Sequence, residues 1–159
     1  MEILIAYASK TGTTEKCAEI LGEKLKDVTI INLERQNENI SKYDLIIIGS
    51  PIRVGMIHKK VKQFILKNLE ILKTKKVAYF ICCGFSENMK QYYEQNIPKE
   101  LLEKAIIYDN FGGEMEIDKQ KGFDKFIAKM VSKNMDENKK IEIKNENIDS
   151  FIKKVQEIL

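Results

Sequence analysis

Glu2-Ile3-Leu4-Ile5-Ala6-Tyr7-Ala8-Ser9-Lys10-Thr11-Gly12-Thr13-Thr14 is the stretch whose reading decides the fold. Glu2–Ala8 is a short β-type run, and the apolar positions Cys17, Ala18, Leu21 and Leu25 give Thr13–Lys26 a helical spacing. The loop between them carries four hydroxyls (Ser9, Thr11, Thr13, Thr14) and one glycine, Gly12. A loop that runs straight into a helix collects unpaired backbone N–H groups and the positive end of the helix dipole, which favours an anion there. The hydroxyls can enclose a phosphate without a full positive charge, and Lys10 adds attraction without needing to touch it. Two other phosphate signatures, GxxxxGK[ST] and GxGxxG, are absent, which argues against a P-loop nucleotidase and a dinucleotide fingerprint. The plainer alternative is that Thr13 caps the helix, with Glu15 and Lys16 in its first turn. The position of the loop after the first strand of an alternating chain favours the phosphate reading.

That alternation continues outward. Val28–Leu33 is short and β-branched, Leu45–Gly49 and Lys76–Cys83 are continuous apolar runs of the buried parallel type, and Ala105–Phe111 is a fifth strand. Between them, His58–Leu72 is periodic at Val61, Phe64, Ile65, Leu69 and Leu72, and Met89–Lys104 is helical with a break at Pro98. Asn147–Leu159 closes the chain with Ile148, Phe151, Ile152, Val155 and Ile158 on one face. Five apolar strands alternating with helices imply an α/β fold, a parallel sheet covered on both faces. Residues 112–146 are too long for a simple connection and contain a further helical stretch. Ligands of open α/β sheets bind beyond the carboxyl ends of the strands, so the segments after strands one, three and four are the candidate site.

The 159 residues fit one domain, with 43% hydrophobic residues for a core and 32% charged residues for a solvated surface. The apolar runs are too short to span a bilayer, and no secretory signal is expected, so the protein is expected to be cytoplasmic. Cys17, Cys82 and Cys83 are odd in number and two are adjacent, which points to reduced thiols. With one histidine, His58, and no CxxC pair, no metal site is expected. The net charge of +3 is mild, and no nucleic-acid partner is expected.

The run Ala6–Thr14 resembles the (T/S)xTGxT phosphate loop of flavodoxins, and the likeness extends over nearly the whole chain. It implies a flavodoxin-like, doubly wound five-stranded sheet in the order 2-1-3-4-5, here with an extra helix inserted after strand five, and FMN as cofactor. By that resemblance Ser9, Lys10, Thr11, Gly12, Thr13 and Thr14 hold the phosphate. Ser50, Pro51, Ile52, Arg53, Val54 and Gly55 form the first ring loop, and Cys83, Gly84 and Phe85 belong to the second. Pro51 and Gly55 also fit an ordinary turn. Phe85 is the nearest aromatic candidate for the ring, although it also fits the core. Flavodoxins typically place Trp or Tyr against the ring; this chain has no Trp and no aromatic in 50–56.

Electron-carrier flavodoxins are usually acidic around the flavin, whereas here Arg53 is followed by His58, Lys59 and Lys60. A cation near the pyrimidine edge stabilises a reduced flavin anion and favours two-electron chemistry. Ser50–His58 resembles the SIRYGxxH segment of menaquinone-dependent protoporphyrinogen dehydrogenases, a flavodoxin-fold family, and Phe111-Gly112-Gly113-Glu114 resembles the segment after their fifth strand. That resemblance implies an FMN-dependent oxidoreductase with a quinone or another redox partner; the alternative is an electron-carrier flavodoxin. Arg53 equally fits a surface salt bridge, and His58 fits the first turn of a helix. In 122–133, Phe123, Phe126, Ile127, Met130 and Val131 form a helical stripe flanked by Lys119, Lys121, Lys125, Lys129 and Lys133. Such a helix either packs on the domain or makes a peripheral contact with the inner face of an anionic membrane through residues 119–133. A receiver domain of the same topology needs an aspartate where this chain has Gly49-Ser50, which argues against it. No proton-transfer residue is identified by the pattern.

Overall fold

The computed structural model describes residues 1–84, 86–113 and 142–159. Strands β1 (Ile3–Tyr7), β2 (Val28–Asn32), β3 (Leu45–Arg53), β4 (Met56–Ile57), β5 (Lys76–Cys82) and β6 (Tyr108–Asn110) form one sheet. The order is β2-β1-β3-β5-β6, with β4 folded back antiparallel on the end of β3. Leaving that arm aside, this is the 2-1-3-4-5 order implied by the resemblance. All other pairings are parallel, in registers such as Ile5 opposite both Ile30 and Ile47.

Period-two alternation distributes the strand residues between two cores. Leu4, Ala6, Ile46, Ile48, Val77, Tyr79 and Ile81 enter one core. Ile3, Ile5, Tyr7, Leu45, Ile47, Ala78, Phe80 and Cys82 enter the other. Because both faces are apolar, both need helices. The first is covered by α2 (Lys59–Lys67), α3 (Leu69–Leu72), α4 (Met89–Asn96) and α5 (Lys99–Glu103), through Val61, Phe64, Ile65, Leu72, Tyr93 and Leu101. The second is covered by α1 (Thr13–Lys24) and α6 (Asn145–Gln156), through Cys17, Ala18, Leu21, Ile148, Phe151, Ile152 and Val155. Under the carboxyl end of the sheet Phe80 stacks on Phe111 at 4.8 Å, and Phe111 meets Phe151 edge-on at 5.1 Å. A Cβ at Gly49 would come within 2.1 Å of the Phe80 ring, so glycine at this position lets the ring lie flat against β3.

Several boundaries differ from the sequence expectation. The helix expected over His58–Leu72 is two helices, divided at Asn68, whose side chain donates to the Phe64 carbonyl at 2.9 Å. The strand expected over Ala105–Phe111 contracts to Tyr108–Asn110. The strand expected to stop at Gly49 continues to Arg53, and a sixth strand follows it. The inserted helix within 119–133, with its membrane reading, and Phe85 lie outside the described residues. No helix among the described residues is long and apolar enough to cross a membrane.

Candidate functional site

The strand order reverses at β1, which pairs with both β2 and β3, and the loop leaving β1 is Ser9–Thr14. The Gly12 N–H donates to Ser9 Oγ at 3.0 Å, closing the loop on itself. Gly12, at φ 96°, is the N-cap of α1 and supplies no side-chain cap; the helix begins with the Lys16 N–H donating to the Gly12 carbonyl. Thr13 is therefore the first helical residue and not the cap. The backbone N–H groups of Thr11, Thr13 and Thr14 find no protein acceptor among the described residues. The Thr14 side chain is 1% exposed; its Oγ1 makes no well-formed hydrogen bond, and the Cys82 thiol is its polar neighbour. Buried polar groups are nearly always paired, so an orphaned hydroxyl beside unpaired N–H groups is what an anion site requires. A Cβ added at Gly12 would meet nothing within 4 Å, so the loop is open on that side.

The segment read as the first ring loop is a β-hairpin. Ser50–Arg53 continue β3, Val54 and Gly55 turn the chain with φ of 52° and 73°, and Arg53 pairs with Met56. Two consecutive positive φ values make a type I′ turn, the connection whose twist matches the flanking strands. The usual residues there are Asn-Gly; a β-branched valine in the left-handed region is strained. Val54 is also 80% exposed, so no packing repays that strain. Replacing Val54 by Asn is expected to stabilise the protein by about 1 kcal/mol in urea unfolding. An unchanged or lowered midpoint would show that the valine is not strained. Behind the turn, Ser50 Oγ accepts the His58 N–H at 2.8 Å and donates to the Pro51 carbonyl at 2.9 Å.

The second ring loop leaves β5 alongside this hairpin, with Pro51 opposite Cys82. Its first residue is held by Asn110, which is 1% exposed. Asn110 Oδ1 accepts the N–H groups of Cys83 (3.1 Å) and Gly112 (3.0 Å), and its Nδ2 donates to the Cys83 carbonyl at 3.0 Å. Gly84 is exposed.

Glu34, just beyond β2, ties the loops together from outside. Its Oε1 accepts the Ser9 N–H at 3.2 Å and lies 3.4 Å from His58 Nε2. His58 caps α2, its Nδ1 accepting the Lys60 N–H at 3.1 Å, so the neutral ring carries its proton on Nε2 toward Glu34. Burial lowers the affinity of His58 for a second proton; Glu34 opposes this, while Lys10, Arg53 and Lys60 add to it. A histidine whose folded pKa lies below its ordinary value of 6.5 gives stability that is complete above that pH and lost as pH falls toward the folded value. Urea unfolding at pH 5.5 and 7.5 should therefore show a smaller acid loss in H58N, which keeps a capping side chain, than in the wild type. Equal losses would contradict this. All three cysteines are buried, and Cys82 is a poor nucleophile. Cys82 Sγ lies 3.8 Å from Cys17 Sγ, and that contact, together with burial, holds the Cys82 thiol well above its ordinary pKa.

The structure thus brings the loops after β1, β3 and β5 to one end of the sheet. Glu34, Asn110 and Asn96, whose Nδ2 donates to the Gly55 carbonyl, were not anticipated. Only Asn110, a polar residue inside an apolar strand, carried a signal in the sequence.

The comparisons with known proteins agree with this architecture. The family model described as "Flavodoxin domain" matches residues 4–142. Protoporphyrinogen IX dehydrogenase [quinone] of Escherichia coli (strain K12) is 29% identical over 85 residues, which are 50% of this chain and 47% of that one. The flavodoxin-like domain-containing protein BilS of Clostridioides difficile (strain CD3) is 32% identical over 114 residues, 69% of this chain and 61% of that one. The chain therefore matches about half the length of the first relative and three-fifths of the second. Among solved structures, a Lactobacillus acidophilus NCFM flavoprotein in complex with FMN superposes with a TM-score of 0.53 at 22% identity, covering 74% of this chain and 97% of that one. The two-electron reduced flavodoxin of Megasphaera elsdenii gives 0.52 at 22% identity, covering 68% and 84%. At such identities these likenesses speak for the fold. With the family model spanning most of its length, the chain belongs to the flavodoxin domain family.

Proposed function

We propose that the chain binds FMN and works as an FMN-dependent oxidoreductase of the protoporphyrinogen dehydrogenase type. The observation that carries the cofactor reading is the buried, unpartnered Thr14 hydroxyl beside the unpaired N–H groups of Thr11, Thr13 and Thr14. Ser9, Lys10, Thr11, Gly12, Thr13 and Thr14 hold the phosphate; Ser50, Pro51, Ile52, Arg53, Val54 and Gly55, with Cys83, Gly84 and Phe85, hold the ring. Bound FMN supplies the redox chemistry, accepting and releasing one or two electrons. The protein's own part is to fix the ring and set the charge around it. Arg53 and Lys10 act electrostatically on His58, which places cationic charge at this end of the sheet. That charge supports two-electron reduction and hence a quinone acceptor. On this reading the protein works in the cytoplasm, and the basic stripe within 119–133 brings it to the membrane surface where quinones reside. The test is stopped-flow mixing of the reduced holoprotein with a menaquinone analogue. Rapid reoxidation is expected, and a rate no greater than in buffer under anaerobic conditions would overturn the quinone reading.

A second reading, an electron carrier between proteins, is favoured by the hairpin tip, where Val54 and Met56 are 80% and 48% exposed. Exposed apolar residues at the edge of a redox site suit a transient partner. Stepwise potentiometric reduction separates the two: an oxidoreductase gives a single two-electron wave, a carrier two well-separated one-electron waves.

A further inference from the structure

The strained turn of the hairpin is bonded to α4 by a side chain of that helix. Asn96, the last residue of α4, donates from Nδ2 to the Gly55 carbonyl at 2.8 Å and accepts the Ile57 N–H on Oδ1 at 3.1 Å. The same Nδ2 donates to the Tyr92 carbonyl at 2.7 Å, which fixes the amide to its own helix. These bonds tie the turn and the returning strand β4 to the end of α4. A Cβ added at Gly55 would stand 3.8 Å from Tyr92 and Gln95, so the turn rests on the flank of α4. The other end of α4 is Met89, directly after the turn Ser86–Asn88 that closes the second ring loop. A single helix of eight residues thus runs from one ring loop to the other and ends in a clamp.

We propose that Asn96 is a positioning residue for the flavin ring, fixing the Val54–Gly55 turn against α4 and so setting the spacing of the two ring loops. The inference rests on the flavin reading above. Three consequences follow from the geometry. Loss of the Asn96 amide frees the turn, and a valine at φ 52° then has reason to leave the left-handed region. The ring is affected while the phosphate loop, on β1 and α1, is not. A residue that favours the turn by itself makes the clamp less necessary, so a change at Val54 offsets a change at Asn96.

The experiment measures FMN and riboflavin dissociation constants by fluorescence quenching, and the visible spectrum at saturation. The proteins are the wild type, N96A, V54N, the N96A/V54N double variant and T14V. For N96A both ligands are expected to weaken by the same factor, about tenfold, leaving their ratio unchanged. The bands of the bound flavin should move toward those of free FMN, a change that a purely structural role for Asn96 would not produce. In the V54N background N96A should cost much less than tenfold, whatever V54N does by itself, and T14V should weaken FMN alone. If N96A does not fold, N96S serves in its place, since it keeps a polar group at the helix end but is too short to reach the Gly55 carbonyl. Unchanged affinities and spectrum, or the same loss from N96A with and without V54N, overturn the role of Asn96 while leaving the flavin reading intact. A wild-type protein that takes up no FMN overturns both.

Discussion

Thr14→Val is expected to weaken FMN binding by roughly tenfold to a hundredfold while raising the stability of the ligand-free protein by about 1 kcal/mol. The two effects have one origin. The Thr14 hydroxyl is buried at the first turn of α1 and makes no well-formed hydrogen bond, with only a weak thiol, Cys82, beside it among the described residues. Burying such a group without a partner costs about 1–3 kcal/mol, and valine of nearly the same shape removes that cost. A hydrogen bond to a charged phosphate is worth about as much in the other direction, so binding loses what folding gains. Isothermal titration and thermal unfolding of the same two proteins measure both quantities. A valine variant that binds FMN as tightly as the wild type would show that the hydroxyl does not face the phosphate. Riboflavin, which lacks the phosphate, should bind both proteins alike.

Asn110→Ala acts on the opposite side of the site and on folding itself. Its amide holds the Cys83 N–H, the Cys83 carbonyl and the Gly112 N–H. Alanine leaves all three backbone groups without this partner at a position that is 1% exposed. Three such losses, partly relieved by water, amount to about 3 kcal/mol, or a fall of about 10 °C in the midpoint of thermal unfolding. The Asn147 bond to the Asn110 carbonyl at 2.8 Å survives, since it involves the backbone, and keeps the loss from growing further. A fall below about 1 kcal/mol would mean that the second ring loop is not held from β6.

What the sequence reveals follows from the range of the interactions involved. The strands were legible because their apolar runs face a core on both sides, and the strand order came with the resemblance carried by Ala6–Thr14. The turn of Ser9–Thr14 into α1 was legible because it is local: hydroxyls, a glycine at positive φ and a helix start are contiguous. The segment expected to be the first ring loop was read as a loop and is a hairpin. Its strand character depends on β3 pairing with Met56–Ile57 across a turn whose valine gives no turn signal. The side chains that hold the site together were not legible. Glu34 meets Ser9 across 25 residues, Asn110 meets Cys83 across 27 and Asn96 meets Gly55 across 41. Each lies on a different element from its partner, and only Asn110, a polar residue inside an apolar strand, is marked locally. His58 shows the limit from the other side: its place at a helix start was readable, but its contact with Glu34 was not.

The most direct measurement is a titration of ligand-free protein with FMN and, separately, with riboflavin. One FMN per chain should be taken up, with bands near about 375 and 450 nm, the usual oxidised-flavin form, and riboflavin should bind at least about a hundredfold more weakly. Equal affinity for the two would mean that Ser9–Thr14 does not hold the phosphate. No uptake of either would contradict the flavin site itself.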